Sequence, residues 1–466
     1  MSDDHKSISL ANPNPYGLNG LHKLSIGLIS ISILILVLAM ANLTAGYNGV
    51  LVYVCLGFIF LGTVFYTKAI YTNQPEGIKN HYVWFRSFSA KGTFAWILGI
   101  ILTGFYVLLY WFPVFLGLGK DGVANTGIIA LFDPLSIAIK GKVASQWFLY
   151  GTLYTILILA LGYKFIVKYK HNRYQIIRTI VVMISQLFLA YLIPEILEGL
   201  SDPNAGYFAK DLKYFWPLNY QFFEPWHIDN LNKGGNLGKF YLVWGLALFL
   251  VLTPIITFFV GKRWYCSWVC GCGGLAETAG DSFRQLSSKK LSSWKLERWM
   301  IHTVMVLVFI MTAVVLYGYF KGTGEIFGIS IYNYFSKPYG FLIGSMFSGV
   351  VGVGFYPILG NRVWCRFGCP LAGYMGLFQR FTSRFRITTN GAQCISCGNC
   401  STYCEQGIDV RAYAQKGKNI VRASCVGCGI CSAVCPRGVL KLENGPLENR
   451  IENNPIQVME EMVNGE

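Results

Sequence analysis

Apolar runs about twenty residues long recur along the chain, each closed by a short polar stretch. A helix needs about 20 residues to cross a hydrocarbon core. Eight runs reach that length, near 24–43, 50–70, 94–117, 147–167, 176–194, 240–260, 300–320 and 339–360. The third is rich in Trp and Tyr, and the fifth ends at Pro194-Glu195. The last is glycine-rich from Gly344 to Gly360, which suits close helix packing. The pattern predicts an all-α polytopic membrane protein with about eight transmembrane helices. It divides the chain into a tail (1–23), a five-helix membrane region (24–194), an aromatic loop (195–239), a three-helix membrane region (240–385), a compact segment (386–442) and an acidic extension (443–466).

Composition agrees. The chain is 53% hydrophobic and 13% charged, against about 25% charged for a soluble domain. Mean hydropathy is +0.44. These values exclude a soluble enzyme, a disordered scaffold and a collagenous chain. The net charge of +16 would suggest nucleic acid for a soluble protein, but in a membrane protein excess Lys and Arg report orientation. With the N-terminus inside, the short inside segments hold 18 Lys and Arg against 9 in the outside ones. Both termini are therefore expected in the cytoplasm, the chain in the cytoplasmic (inner) membrane of a prokaryote, and no nucleic acid among its partners. Ala39-Met40-Ala41 resembles a signal-peptide cleavage site, but Asp3 and Asp4 beside Lys6 weaken that signal. The first span is expected to be a retained anchor.

The cysteines carry the chemistry. Of 14, Cys55 stands alone in the second span and reads as a small core residue. The other thirteen lie between 266 and 435, in or beside segments assigned to the reducing cytoplasm, which favours metal or redox chemistry over disulfides. Cys394, Cys397, Cys400 and Cys404 follow C-x2-C-x2-C-x3-C, and Cys425, Cys428, Cys431 and Cys435 repeat it, followed by Pro436. This is the bacterial two-cluster ferredoxin spacing, in which the fourth cysteine of each run serves the other cluster. Cys394, Cys397, Cys400 and Cys435 are expected to hold one 4Fe–4S cluster, and Cys425, Cys428, Cys431 and Cys404 the other, in a small α+β domain. Gly398, Gly427 and Gly429 let the backbone approach the sulfurs. Zinc fits poorly, because three of its four ligands would be crowded together. Glu405 stands where the first run would often carry proline.

A second pattern repeats at an offset of 99 residues. Gly261-Lys262-Arg263-Trp264-Tyr265-Cys266-Ser267-Trp268-Val269-Cys270 matches Gly360-Asn361-Arg362-Val363-Trp364-Cys365-Arg366-Phe367-Gly368-Cys369. Each copy follows a span entering the cytoplasm, so both are expected at the cytoplasmic membrane boundary. Cysteines four apart share a helix face. Cys266, Cys270, Cys365 and Cys369 could therefore converge on one site, for a further iron–sulfur cluster or a soft metal such as Cu(I). A dithiol pair and plainly buried cysteines remain open. Cys272 is a spare ligand without a counterpart. Arg263 and Arg362 are expected to offset thiolate charge or to anchor helix ends at lipid phosphates.

The arrangement resembles the membrane polyferredoxins of the NapH, NosR and CcoG kind, over roughly 240–442. The resemblance implies membrane spans, boundary C-x3-C motifs and a cytoplasmic two-cluster ferredoxin segment. Three departures are visible. The first copy reads Cys270-Gly271-Cys272 where the second has Cys369-Pro370. Neither a long flavin-binding domain before the spans, as in NosR, nor an immunoglobulin-like tail, as in CcoG, is expected.

Other features add less. His302 alone lies in a span, so no bis-histidine haem is expected; it reads as a boundary histidine, with a ligand or proton-relay role as the alternative. No phosphate loop or dinucleotide fingerprint occurs, so NAD and ATP are not expected. The loop 195–239 is dense in aromatics, among them Tyr207, Phe208, Tyr214, Phe215, Trp216, Tyr220, Phe222, Phe223 and Trp226. It is expected in the headgroup belt; a docking surface or quinol mouth with Glu195, Glu198 and His227 is the alternative. Gln186 needs a buried partner. Arg411, Lys416, Lys418 and Arg422 could steer an acidic donor.

The expected function is electron transfer between a quinol or cytoplasmic reductant and a partner redox protein, as an oxidoreductase-type subunit without its own substrate site. The expected partners are lipid, redox proteins on either side and quinone. One rival is a factor that reduces or delivers copper during maturation of a respiratory oxidase or reductase. The other is a structural or redox-sensing subunit.

Overall fold

The computed structural model describes residues 20–71, 92–119, 122–200, 212–261 and 263–444. Seven helices among them are long and apolar enough to cross a membrane: Gly20–Met40, Asn48–Tyr71, Thr93–Trp111, Gln146–Lys168, Arg173–Leu200, Gly235–Phe259 and Leu291–Lys321. Each overlaps an expected run. The eighth run behaves differently. The chain is helical from 331 to 351 through two wide π-type stretches, Tyr332–Ser336 and Gly340–Val351, then turns and resumes as Tyr356–Leu359. Its glycines explain the irregularity. Gly344 faces the Tyr220 ring, and Gly349 faces Tyr106 and Tyr110, so any side chain there would collide.

One helix was not expected. Gly127–Lys140 carries Pro134 in its interior and is too short to span. Its Ile129, Leu131 and Phe132 are fully buried with Phe148 and Leu149 of the Gln146–Lys168 helix. Asp133 fixes the following turn, accepting from the Ala144 amide at 2.7 Å and from Asn125 at 2.7 Å. Lys140 at its end pairs with Glu195 at 2.8 Å and Glu198 at 3.4 Å. Those carboxylates are thus tied to a lysine.

The aromatic loop also departs from expectation. Tyr207 and Phe208 lie outside the described residues; of the others, Tyr214 and Trp226 are exposed, whereas several pack inward. Phe215 and Trp216 are buried. Trp216 donates to Thr312 at 2.9 Å and meets Phe249 and Phe309 edge to face at 4.6 and 4.7 Å. A belt position would leave these rings at the surface; the indole N–H instead finds a partner inside a helix cluster. His227 is buried, its Nδ1 3.0 Å from the Phe222 carbonyl.

The cysteine-rich segment is closed by an antiparallel strand pair. Phe385–Thr389 leads in and Leu440–Asn444 leads out, with Ile387 opposite Leu442 and Thr389 opposite Leu440. Short helices Asn399–Thr402, Val410–Gln415 and Ile430–Ala433 lie between them. Buried Ile387, Ile408, Val410, Ile420, Ile430, Val434 and Leu440 form its core, with Phe165 of the Gln146–Lys168 helix and Tyr169 at its C-cap packed into it. The segment is therefore docked on the helices and shares their core.

Candidate iron–sulfur centres

The two ferredoxin runs adopt the same backbone, position for position. Left-handed residues occur at Ser396 and Gly427 (φ 58° and 70°), at Gly398 and Gly429 (78° and 72°), and at Gly407 and Gly438 (64° and 62°). Such turns wrap the chain around a centre, and glycine adopts them without a Cβ penalty. Ser396 is the exception that carries a side chain. Each third cysteine, Cys400 or Cys431, then sits in a short helix begun by the second glycine.

Cys394, Cys397, Cys400 and Cys435 line one small cavity, walled by Ile395, Pro436, Val439 and Leu440. Burial lifts the Cys400 thiol to about 12; the Ser401 amide opposes this, while Cys397, Cys435 and Cys394 add to it. Burial likewise pushes Cys431 well up, reinforced by Cys428, Cys425, Cys404 and Cys400. The last cysteine of each run thus stands with the first three of the other. Crowded, buried thiols resist ionisation on their own. A cationic iron core supplies the missing counter-charge, so the donor sets fit a 4Fe–4S group.

The two C-x3-C copies converge as well. Cys266, Cys270, Cys365 and Cys369 are buried in one cluster with Trp264, Tyr265 and Trp364, and Cys272 packs against it. Cys272 follows Cys270 by two residues, in the first turn of the helix that Cys270 caps. The members of a pair do not share a helix, contrary to the simplest reading of the spacing. Cys266 lies in the short helix Trp264–Trp268 and Cys365 in the π turn Trp364–Gly368. Cys270 and Cys369 each occupy the N-cap of the next helix, Gly271–Thr278 or Pro370–Phe381. A thiolate there meets the positive end of the helix.

The arginines act between the copies and not at lipid phosphates. Arg263 donates to the Cys365 carbonyl at 2.9 Å, and Arg362 donates to the Cys266 carbonyl at 3.0 Å. Each copy's arginine thus holds the other copy's first cysteine. Both side chains are fully buried.

The missing proline has a packing cause. A Cβ at Gly271 would lie 2.9 Å from Gln186 Oε1 and 3.4 Å from the Tyr154 ring, and one at Gly273 would strike the Cys266 carbonyl. The glycine-rich stretch is needed for close packing. It also lies against the Arg173–Leu200 helix. Arg178 reaches the Ser267 carbonyl at 3.4 Å, and Ser185 reaches that of Val269 at 3.1 Å. Ser267 to Val269 of the first copy thus packs between Arg178 and Ser185 of that helix. There it meets the aromatic loop. Lys213, buried, donates to the Val269 carbonyl at 3.2 Å and to Gln186 at 3.4 Å, and Gln186 donates to Thr155 at 3.1 Å. Gln186 has its partners.

Sequence reasoning missed what joins the sites. Glu405, next to Cys404, is fully buried between Arg284 at 2.8 Å and Arg362 at 2.9 Å. Glu277, on the helix that Cys270 caps, binds Arg178 through both guanidinium nitrogens and lies 3.4 Å from Arg284. Asp281 binds Arg284 at 2.8 Å and Lys168 at 2.6 Å. Arg178 also donates to Gln175, which donates to the Cys428 carbonyl at 2.7 Å, and Tyr174 donates to the Gly427 carbonyl at 2.9 Å. The only sequence signal was Glu405 in place of proline. Burial raises the Glu405 carboxyl, but Arg284 and Arg362 outweigh it and hold the group at about 2. Its folded value thus lies below the unfolded one of about 4.3. The stabilisation is complete above that value and is lost as pH falls through about 2. Acid unfolding monitored by tryptophan fluorescence should show a wild-type loss between about pH 5 and 2 that Glu405→Gln shifts or removes.

Cys55 is a packing residue, its sulfur 3.7 Å from the Ser32 carbonyl. His302 joins none of these groups among the described residues.

Comparison with known proteins bears on the same residues. A model described as "4Fe-4S dicluster domain" matches 365–446, and one described as "4Fe-4S binding domain" matches twice, over 242–293 and 341–388. The chain carries 4Fe–4S ferredoxin-type domains. The second model covers both copies of the C-x3-C repeat. A similar protein is YccM of Escherichia coli (strain K12), named for a proposed role in electron transport. It is 25% identical over 199 residues, 39% of this chain and 52% of that protein. The chain thus spans about half the length of that curated relative. No solved structure matches.

Proposed function

We propose that the protein is a membrane electron-transfer protein, relaying electrons from a reductant on its ferredoxin face through the C-x3-C site to a quinone or partner redox protein. One observation carries this reading. Three groups of thiols lie in one packed body, and a buried ionic bridge through Glu405, Arg362 and Glu277 joins the ferredoxin segment to the C-x3-C site. When bound, a 4Fe–4S cluster takes up and passes on a single electron.

In this reading Cys394, Cys397, Cys400 and Cys435 hold one cluster, and Cys425, Cys428, Cys431 and Cys404 a second. Cys266, Cys270, Cys365 and Cys369 hold a third, with Cys272 packed beside them. The arginines fix the two copies against each other, and the buried aromatics keep water out. The seven apolar helices are long enough to cross a membrane, and the distribution of Lys and Arg favours a cytoplasmic side for the ferredoxin segment.

The test uses proteoliposomes with a lipid-soluble quinone in the bilayer as the relay's acceptor and carrier, ferricyanide trapped inside and titanium(III) citrate outside. The relay bleaches the trapped ferricyanide at a protein-dependent rate; no bleaching above protein-free liposomes would contradict it. The ligand exchange has its own check. Cys435→Ser and Cys394→Ser should leave the same residual EPR spectrum of the reduced state, and Cys404→Ser and Cys425→Ser the complementary one. If Cys435→Ser instead matches Cys425→Ser, the exchange is wrong.

A further inference from the structure

An open groove of about 1110 Å³ lies between the start of the Leu291–Lys321 helix and the ferredoxin segment. Five cations line it, Lys289, Lys290, Lys416, Lys418 and Arg422, against one carboxylate, Asp409. Asp409 is engaged, accepting from Ser401 at 2.6 Å. Trp294 forms a wall, with the Arg422 guanidinium 4.3 Å from its ring. Orientation signals alone would put lysines at the helix end; here residues of the ferredoxin segment supply the opposite wall.

The groove borders a thiol group. Lys289 donates to the Thr402 carbonyl at 3.3 Å, two residues from Cys404. Tyr413, on the other wall, packs in the core that contains Cys404, Cys425 and Cys431. We propose that this groove is the docking site for a small acidic one-electron carrier protein, whose carboxylates enter it to deliver electrons beside Cys404. The inference rests on the electron-transfer reading above. In the step, the reduced carrier loses one electron and the iron–sulfur group held beside Cys404 gains one, with no proton or bond exchanged. A nicotinamide fits less well, because it gives up a hydride, two electrons at once. Opposite charges across such a contact act mainly on the encounter rate and fade with salt.

The test is stopped-flow reduction of the full chain in phosphatidylcholine nanodiscs, which offer no anionic headgroup to compete. The probes are flavodoxin hydroquinone, acidic, and methyl viologen radical, cationic. Flavodoxin should reduce the wild type at a rate that falls at least about tenfold between 20 and 300 mM salt. Lys416→Glu/Lys418→Glu should lose a similar factor at low salt, while the cationic viologen reduces that variant no more slowly than wild type. A flavodoxin rate indifferent to salt and to the variant, with viologen reduction intact, overturns the docking site alone. So does fast reduction by NADH or NADPH without a carrier. Failure of both probes to reduce the protein overturns the electron-transfer reading itself.

Discussion

Replacing Glu405 with Gln should destabilise the protein by about 3–5 kcal/mol, the usual cost of breaking a buried ion pair from one side. The neutral amide matches the carboxylate in shape, so the loss reports charge. Arg284 and Arg362 would stay fully buried with less compensation, and Glu277 is already shared with Arg178. Glu405→Pro, which writes the more usual ferredoxin ending, should do no better, because a proline supplies no charge. The measurement is the guanidinium midpoint of detergent-solubilised protein, followed by loss of cluster absorbance. A Glu405→Gln midpoint equal to wild type would show that the bridge contributes nothing to docking the ferredoxin segment.

Changing Cys266 and Cys365 together to Ser should abolish transfer to trapped ferricyanide while sparing the ferredoxin groups. The two side chains are small and isosteric with their replacements. The arginine clamps use the backbone carbonyls of these residues and survive the change. The variant should therefore fold and keep the ferredoxin EPR signals, with bleaching reduced to the level of protein-free liposomes. Transfer at the wild-type rate would remove the C-x3-C site from the route.

Much of this was legible in the sequence for local reasons. An apolar run of twenty residues or a C-x2-C-x2-C spacing is complete within one stretch of chain, and seven helices and the paired left-handed turns followed. The convergence of the C-x3-C copies was legible because the repeat put both at one depth. The manner of it was not. Arg263 and Arg362 reach across about a hundred residues of chain, and no local pattern says which carbonyl a buried arginine will meet. The Gly127–Lys140 helix was missed because Asp133 and Pro134 interrupt its apolar run, and its stability comes from neighbours. The burial of Phe215, Trp216 and Phe222 in the aromatic loop was not legible because ring density is the same at an interface and in a core. Glu405 was noticed as an oddity, but its two arginines lie more than forty residues away in sequence.

Iron and acid-labile sulfide per chain, on anaerobically purified wild-type protein, test the central claim most directly. Three clusters require about 12 iron and 12 sulfide per chain. A value of about 8 of each would mean that the ferredoxin segment alone is loaded, and would contradict a third cluster between the two C-x3-C copies.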